Sequence, residues 1–423
     1  MKKLLNSISI IKKIKNFLFP FYGSSEIKKI FQILEKEQPK NKKVAMFVGG
    51  CVRKYILHEE IDDIDIATIF NPEEIKKKFK NTGIKIVETG IEHGSVVLIL
   101  NDQKFEITTL RKDEKTDGRH AEVSYTDDWQ LDSERRDFTF NSIYLSHKGK
   151  IYDPQLGMND LKRGIVKFIG DPNKRIEEDY LRIIRFIRFA LQYDYKDFEN
   201  STLEAIKLNL NGIKILSKER ILSELFKILK LKNFKKIIEN KELKNIFSLI
   251  FPELRYLDRL KKFQHFPENY KINKNLFLSM LIIDDSNNFE YFCHKYKTSN
   301  ELKKKLYNLS DLLNKFEVNK EFLKKELKKN SYYYGKNNLI ELNQLIFFLD
   351  KNMKLNIFKE NDENIRKILI PKFPFDGKFL IKKGFSEGKK MGEVIKKIEQ
   401  EWVDRGCYLP DRNLQEILDK NNN

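Results

Sequence analysis

The chain has 423 residues, of which 40% are hydrophobic and 34% charged, with 32 Phe and 17 Tyr. At roughly 150 residues per domain this is about three domains with ample apolar side chain for a core, which excludes wholesale disorder. Lysine and arginine outnumber the acids by 81 to 62, a net charge of +19. That excess points to a polyanion, nucleic acid or an anionic membrane surface; the plain alternative is a lysine-rich coding bias on a solvated surface.

Cys51, Cys293 and Cys407 are odd in number and far apart. They make neither a disulfide framework nor a metal finger, so a reducing compartment, the cytosol, is expected. No apolar run approaches the roughly 18 residues of a membrane span. The opening MKKLLNSISIIKKIKNFLFP is basic and apolar, but Lys12, Lys13 and Lys15 interrupt any signal-peptide core and no small-residue cleavage pattern follows. It reads as a short amphipathic helix.

From about Lys43 to Lys167 the strand signals cluster: VAMFV (44–48), IDIATI (64–69), SVVLIL (95–100), FEITTL (105–110) and NSIYLS (141–146). Between them PEEIKKKFK (72–80) reads as a helix with Pro72 in its first turn, and KDEKTDGRHAEVSYTDDW (112–129) as a polar loop. The expected class is an α/β head with a mixed sheet. From Asp171 onward strand signals nearly vanish. RIEEDYLRIIRFIRFALQY (175–193), KERILSELFKILKLKNFKKIIE (218–239) and NELKKKLYNLSDLLNKF (300–316) carry helical spacing. A Pro and Gly cluster (370–384) precedes a last helix (389–405). The expected division is a helical extension over 1–40, the head over 41–168, a neck over 169–237, a helical body over 238–369 and a helical tail over 370–423.

Chemistry concentrates in four segments. VGGCVRK follows a strand, so Gly49 and Gly50 let the backbone approach a ligand with its N–H groups outward, and Arg53 can reach the same anion. In IDDIDIAT, Asp63 and Asp65 lie two apart and so project from one strand face. Packing gives no reward for side-by-side carboxylates; a divalent cation between them does, and hard oxygen ligands suit Mg²⁺. FEITTLR adds Glu106. Three carboxylates beside a Gly-Gly turn suggest a metal–triphosphate site. DSERRDFTFN offers Arg135, Arg136 and Asp137 for a phosphate and a sugar hydroxyl, with a surface ion cluster as the bland alternative. In EEDYLR and its continuation, Asp179, Arg182, Arg185 and Arg188 recur in steps of three on one expected helix face. A lone surface salt bridge would explain Asp179 with Arg182, but three arginines in line need an anion or several carboxylates.

In order and spacing, GGCVRK with DIDIAT, RRDFTFN and EDYLRIIRFIRF resemble the class II tRNA nucleotidyltransferase and bacterial poly(A) polymerase family, with thinner similarity in KERILSEL (218–225) and 387–406. One departure is Lys54, where that family usually has Asp, which bears on the pairing around Arg53. His265 and His294 are isolated and match no metal-phosphohydrolase pattern. The resemblance implies template-independent addition of C, C and A to the 3′ end of tRNA from CTP and ATP, with release of pyrophosphate. It implies that Asp63 and Asp65 hold Mg²⁺ beside the tRNA 3′-hydroxyl and that Gly49, Gly50 and Arg53 hold the triphosphate. Arg136 and Asp137 would place phosphate and ribose, Asp179 and Arg182 would read the base, and Arg185 and Arg188 would support nucleotide and neck. Glu106 would be a third catalytic acid. The basic helical body would track the tRNA backbone, without a membrane; the sequence leaves oligomeric state open. Two competing readings share the motifs or the charge: a poly(A) polymerase or a CC-only or A-only enzyme, and a basic RNA-binding protein with a degenerate head.

Overall fold

The computed structural model of the protein describes residues 20–422 apart from 40–41, 89–93, 117–120, 196, 268–269, 271 and 285. Most of the basic opening segment, residues 1–19, thus lies outside the described residues. The chain forms two compact units, Met1–Ile250 and Phe251–Asn423.

In the first unit, helix α1 (Ser25–Glu35) starts where the Ser24 hydroxyl accepts the Ile27 N–H at 3.3 Å, and it buries Ile27, Ile30, Phe31 and Leu34. Strand β1 (Ala45–Val48) runs into α2 (Gly50–Ile56), followed by β2 (Ile64–Thr68) and α3 (Pro72–Phe79). α3 opens with a capping box in which Asn71 and Glu74 exchange 2.9 Å hydrogen bonds. Then come β3 (Lys85–Val87), β4 (Ser95–Leu100) and β5 (Gln103–Thr109). The expected loop over 112–129 is largely an antiparallel hairpin, β6 (Arg111–Thr116) with β7 (Ala121–Tyr125), leading to α4 (Trp129–Glu134). Its charged sequence hides a ladder built on backbone pairing. The strand expected over 141–146 shrinks to β8 (Tyr144–Leu145), because Thr139–Ser142 coils into a 3₁₀ turn; β9 (Ile151–Tyr152) and α5 (Gly157–Arg163) follow.

The seven-stranded sheet has the order β3-β4-β5-β2-β1-β8-β9, with β2 parallel to β5 and the other neighbours antiparallel. β2 is therefore the central strand, which rules out a solvent-facing edge for its acids. Phe47, Ile66, Phe105 and Ile107 are fully buried, with Phe31 and Phe21 packed on the Phe47 ring at 5.0 and 4.8 Å.

The helix expected over 175–193 is two: α6 (Pro172–Glu178) and α7 (Leu181–Gln192). Asp179 between them is extended (φ −156°, ψ 104°), and its Oδ1 accepts the Leu181 N–H at 3.1 Å, which starts α7 afresh. Helices α8 (Asn200–Asn209), α9 (Lys218–Leu229) and α10 (Lys241–Ile250) complete the unit. The RRDFTFN phenylalanines bind α7 to the sheet: Phe138 meets Phe168 at 4.8 Å and Phe189 at 5.4 Å, and Phe140 meets Phe189 at 5.1 Å. Each buried ring is worth about 1.5–3 kcal/mol, so the neck helix cannot drift from the head cheaply.

The described residues of the second unit contain helices and no strand. Leu339, Leu342, Phe347 and Phe358 are buried within it, and a separate cluster of Leu380, Val394, Ile398, Trp402 and Leu418 holds its C-terminal helices. Among the described residues no helix is long and apolar enough to cross a membrane.

One buried carboxylate anchors the loop that carries the paired arginines. Asp132 is fully buried and accepts from Arg135 Nε at 2.8 Å, Arg136 Nη2 at 2.9 Å and the Tyr144 hydroxyl at 2.7 Å. Burial alone would raise its pKa, but the Arg136 and Arg135 guanidiniums outweigh burial and hold the carboxyl well below the usual range. Its contribution to stability is then complete above its unfolded value of about 3.9 and is lost as pH falls below that value. Asp132→Ala, which strands two guanidiniums, should cost about 3–5 kcal/mol in urea unfolding at pH 7. The gap between variant and wild type should narrow below about pH 4; an equal gap at pH 3 and pH 7 would refute this anchor.

Candidate active site

The register of β2 on β5 sets Asp65 directly beside Glu106, and Asp63 lies just before β2. The three carboxylates converge: Asp65 is pushed up to about 6 by burial, by the Glu106 charge and by the Asp63 charge, in that order. Gly49 turns at φ +73°, and a Cβ there would stand 3.3 Å from Asp65 Oδ2. The Gly-Gly turn thus lies against the carboxylate, with no room to spare for a side chain. Cys51 Sγ donates to the Asp65 carbonyl at 3.6 Å and to that of Val48 at 3.3 Å. Burial pushes this thiol up to about 12, so it ties turn to strand and is no nucleophile. Among the described residues no group of three or more His, Cys, Asp or Glu forms a ready-made metal cage. The donors are nonetheless hard oxygens with like charges close together, a set that fits a divalent cation completed by further oxygens.

Two arginines offset this negative charge, since Arg136 and Arg53 both pull the Asp65 carboxyl down. Arg53 donates from Nε to the Tyr193 hydroxyl at 3.1 Å and from Nη1 to Asn141 Oδ1, with its guanidinium 5.1 Å from the Phe189 ring centroid. Arg136 is fixed by Asp132 and meets the Tyr144 hydroxyl at 3.2 Å. Lys54, the departure from the family pattern, pairs with the exposed Asp62, whose Oδ1 also accepts the Asp63 N–H at 3.0 Å. Arg53 is therefore undisturbed by it.

Asp137 is buried and fully engaged: Oδ1 accepts from Asn141 Nδ2 at 2.6 Å and from Phe138 N–H at 2.9 Å, and Oδ2 from Arg185 at 2.6 Å. Arg188 donates to buried Glu224 on α9 at 2.7 Å, and its guanidinium sits 4.0 Å from the Phe189 centroid. Arg185 approaches the same Glu224 at 4.0 Å. The arginine row is thus balanced by protein carboxylates. Asp179 and Arg182 do not pair with each other. Arg182 donates to Glu178 and to the carbonyls of Arg175 at 2.6 Å and Arg135 at 3.0 Å, and Asp179 Oδ2 accepts from Arg220 Nη2 at 2.7 Å.

The fold therefore brings Gly49, Gly50, Arg53, Asp63, Asp65, Glu106 and Arg136 around one strand end. Asp137, Arg185 and Arg188 form a second, linked group, and Asp179 with Arg182 a third at the α6–α7 break. Sequence reasoning missed Asp132, Asn141, Tyr193, Arg220 and Glu224 as members. Asp132 was findable, since it lies three and four residues before the arginines it holds. Arg220 and Glu224 sit 41 and 36 residues from their partners, and no local signal marks them. A separate cavity of about 1110 Å³ in the second unit, lined by Tyr270, Lys305, Glu341, Asp362 and Arg366, contains none of these residues.

Comparison with known proteins gives one answer throughout. Residues 45–167 match the Poly A polymerase head domain, residues 197–257 the probable RNA and SrmB-binding site of polymerase A, and residues 271–418 a putative tRNA nucleotidyltransferase domain 2. The mitochondrial CCA tRNA nucleotidyltransferase 1 of Danio rerio is 44% identical over 45% of each chain. That of Homo sapiens is 32% identical over 88% of this chain and 86% of its own. The CCA-adding enzyme of Bacillus stearothermophilus, solved in complex with CTP, superimposes with a TM-score of 0.72 over 94% of this chain and 98% of its own at 21% identity, a likeness of fold. With 88% of its length aligned at 32% identity to the Homo sapiens relative, the chain belongs to the CCA-adding tRNA nucleotidyltransferase family.

Proposed function

We propose that this nucleotidyltransferase completes the 3′ end of tRNA with C, C and A from CTP and ATP, at the β2–β5 carboxylates. The observation that carries the reading is the convergence of Asp65 and Glu106 on the central strands with Asp63 just before them, and Arg53 and Arg136 offsetting their charge. Asp63 and Asp65 would hold Mg²⁺, with Glu106 beside them as the third acid. The bound ion supplies positive charge to the attacking and leaving oxygens of an in-line displacement.

The chain's own residues do the rest. Arg53 and Arg136, already immobilised by Asn141, Tyr193 and Asp132, present charge-assisted donors to the triphosphate at little further entropic cost. The turn at Gly49 and Gly50 admits the phosphates close to the backbone. Because Asp137 spends its acceptors within the protein, its part is to hold Arg185 and Asn141 in place beside the sugar. Asp179 and Arg182 would read the base without a nucleic-acid template. Cytosine and adenine both present an amino donor beside a ring acceptor, which suits a carboxylate and a guanidinium; uracil and guanine reverse that pattern. The basic surface would follow the tRNA backbone through its phosphates. Three unpaired cysteines support work in a reducing compartment such as the cytosol, and fractionation of the native cell decides between that and an organelle.

The direct test is incubation with tRNAs ending before CCA, after C and after CC, each with one labelled nucleotide. C should enter the first two substrates and A only the third. Repeated A addition would indicate a poly(A) polymerase, and no incorporation at all a binding protein. Asp63→Ala or Asp65→Ala should cost about a thousandfold or more in transfer while tRNA binding survives; near-normal extension by the double variant would end the metal reading. Because the RNA contacts are electrostatic, tRNA affinity should fall about tenfold or more between 50 and 200 mM salt, as filter binding would measure. A flat salt response would return the net charge to coding bias.

A further inference from the structure

The cavity of about 1110 Å³ in the second unit is lined chiefly by the helices Lys336–Leu349 and Leu355–Lys367, and its size suits a nucleotide-sized ligand. Two of its carboxylates are only half used. Asp362 is 3% exposed; its Oδ2 accepts from the Tyr270 hydroxyl at 2.9 Å and from Arg366 Nε at 2.8 Å, while its buried Oδ1 has no donor among the described residues. Glu341 repeats the pattern. Its Oε1 accepts from Lys305 Nζ at 2.8 Å and from Asn273 Nδ2 at 3.1 Å, while its buried Oε2 has no donor among the described residues. Tyr270 and Asn273 lie three residues apart, so one short segment holds both carboxylates. Neither side chain can turn to satisfy its spare oxygen without giving up an ion pair on the other.

A buried carboxylate oxygen without a donor is costly, and two in one cavity ask for a ligand that brings N–H groups. The charge of the wall says what else that ligand carries. Lysine and arginine side chains outnumber carboxylates there, with Lys359 and Lys367 joining Lys305 and Arg366, which opposes a bare metal ion or a polyamine as occupant. Lys359 is exposed and has no ion-pair partner among the described residues, so an anionic group would find it free. N–H donors at one end and an anion at the other describe a nucleotide. Among the bases, guanine sets two donors side by side, N1–H and the N2 amino group. Cytosine and adenine put a ring acceptor next to the amino group, and uracil puts a carbonyl on either side of N3–H. Each of these three would turn an acceptor toward a carboxylate.

We propose that this cavity binds a guanine nucleotide, with Asp362 and Glu341 accepting from the base and Lys359 meeting the phosphate. The base choice is the opposite of that at the proposed transfer site, which takes cytosine and adenine. The ligand is therefore no substrate of the transfer reaction, and the two sites can be read separately.

Isothermal titration calorimetry of the full chain, with saturating CTP to fill the transfer site, would compare GMP, AMP, guanosine and inorganic phosphate on wild type, Glu341→Gln and Lys359→Ala, with melting temperatures as the fold control. GMP should bind about tenfold or more tightly than AMP, and guanosine and phosphate should each bind about tenfold or more weakly than GMP. Glu341→Gln keeps an oxygen for Lys305 but sets an amino group against the guanine donors, and should weaken GMP about tenfold or more. Lys359→Ala should weaken GMP and leave guanosine unchanged; because this side chain is exposed, the comparison holds even where Glu341→Gln fails to fold. No heat with GMP at millimolar concentration, as for a cavity filled by water alone, would overturn the proposal. Equal affinity for GMP and AMP, or GMP binding indifferent to both variants, would overturn it too. So would binding of a guanine-containing RNA oligonucleotide without binding of GMP, which would make the cavity an RNA contact.

Discussion

The parallel pairing of β2 with β5 sets Asp65 against Glu106 with Asp63 beside them, and the arrangement of charge elsewhere in the head follows from that crowding. A buried carboxylate beside two like charges is costly, and burial with the Glu106 and Asp63 charges pushes the Asp65 carboxyl up to about 6. The other face of these strands cannot relieve it, since Ile66, Phe105 and Ile107 fill that face with apolar side chain. Relief comes from the side where Arg53 and Arg136 face the cluster. A site so arranged stores a preference for positive charge, which the cation of the proposed metal–triphosphate substrate would meet.

The arginines in turn need anchors, because a free guanidinium would fold onto the nearest carboxylate and quench the site. Asp132 pins Arg136, Asn141 and Tyr193 pin Arg53, and Asp137 with Glu224 pins Arg185 and Arg188. RRDFTFN does double duty in this scheme. Its polar residues link Arg53 and Arg136 to α7, and its two phenylalanines seal the same junction. The carboxylates at the strand end and the Asp179–Arg182 break between α6 and α7, to which the proposed function assigns chemistry and base choice, are thus held in one rigid frame.

The head was legible because its chemistry is written in short local patterns. The acids Asp63 and Asp65 two residues apart, the glycines after a strand and the arginines after Asp132 all lie within a few residues of one another, although β2 starts only at Ile64 and leaves Asp63 just outside the strand alternation. What escaped is long-range or hidden by composition. The break at Asp179 was invisible because the apolar spacing runs on through it, while an extended backbone and the Leu181 N–H decide the local geometry. Arg220 and Glu224 sit in an ordinary amphipathic helix, and only its packing reveals their partners. The charged β6–β7 hairpin carries no strand signal because its ladder depends on backbone groups. Lys54 departs from the family pattern, yet its pairing with Asp62 confines the change to the surface.

The central claim is that the clustered carboxylates form a cation site completed by nucleotide. Titration of Mn²⁺, a spectroscopic stand-in for Mg²⁺, followed by electron paramagnetic resonance in the presence of a non-hydrolysable CTP analogue tests it without any reaction. Wild type should take up the ion in a nucleotide-dependent manner, and the Asp63→Ala/Asp65→Ala variant, folded by its melting curve, should lose that uptake. Uptake of the same strength in that variant would place the metal elsewhere and contradict the account.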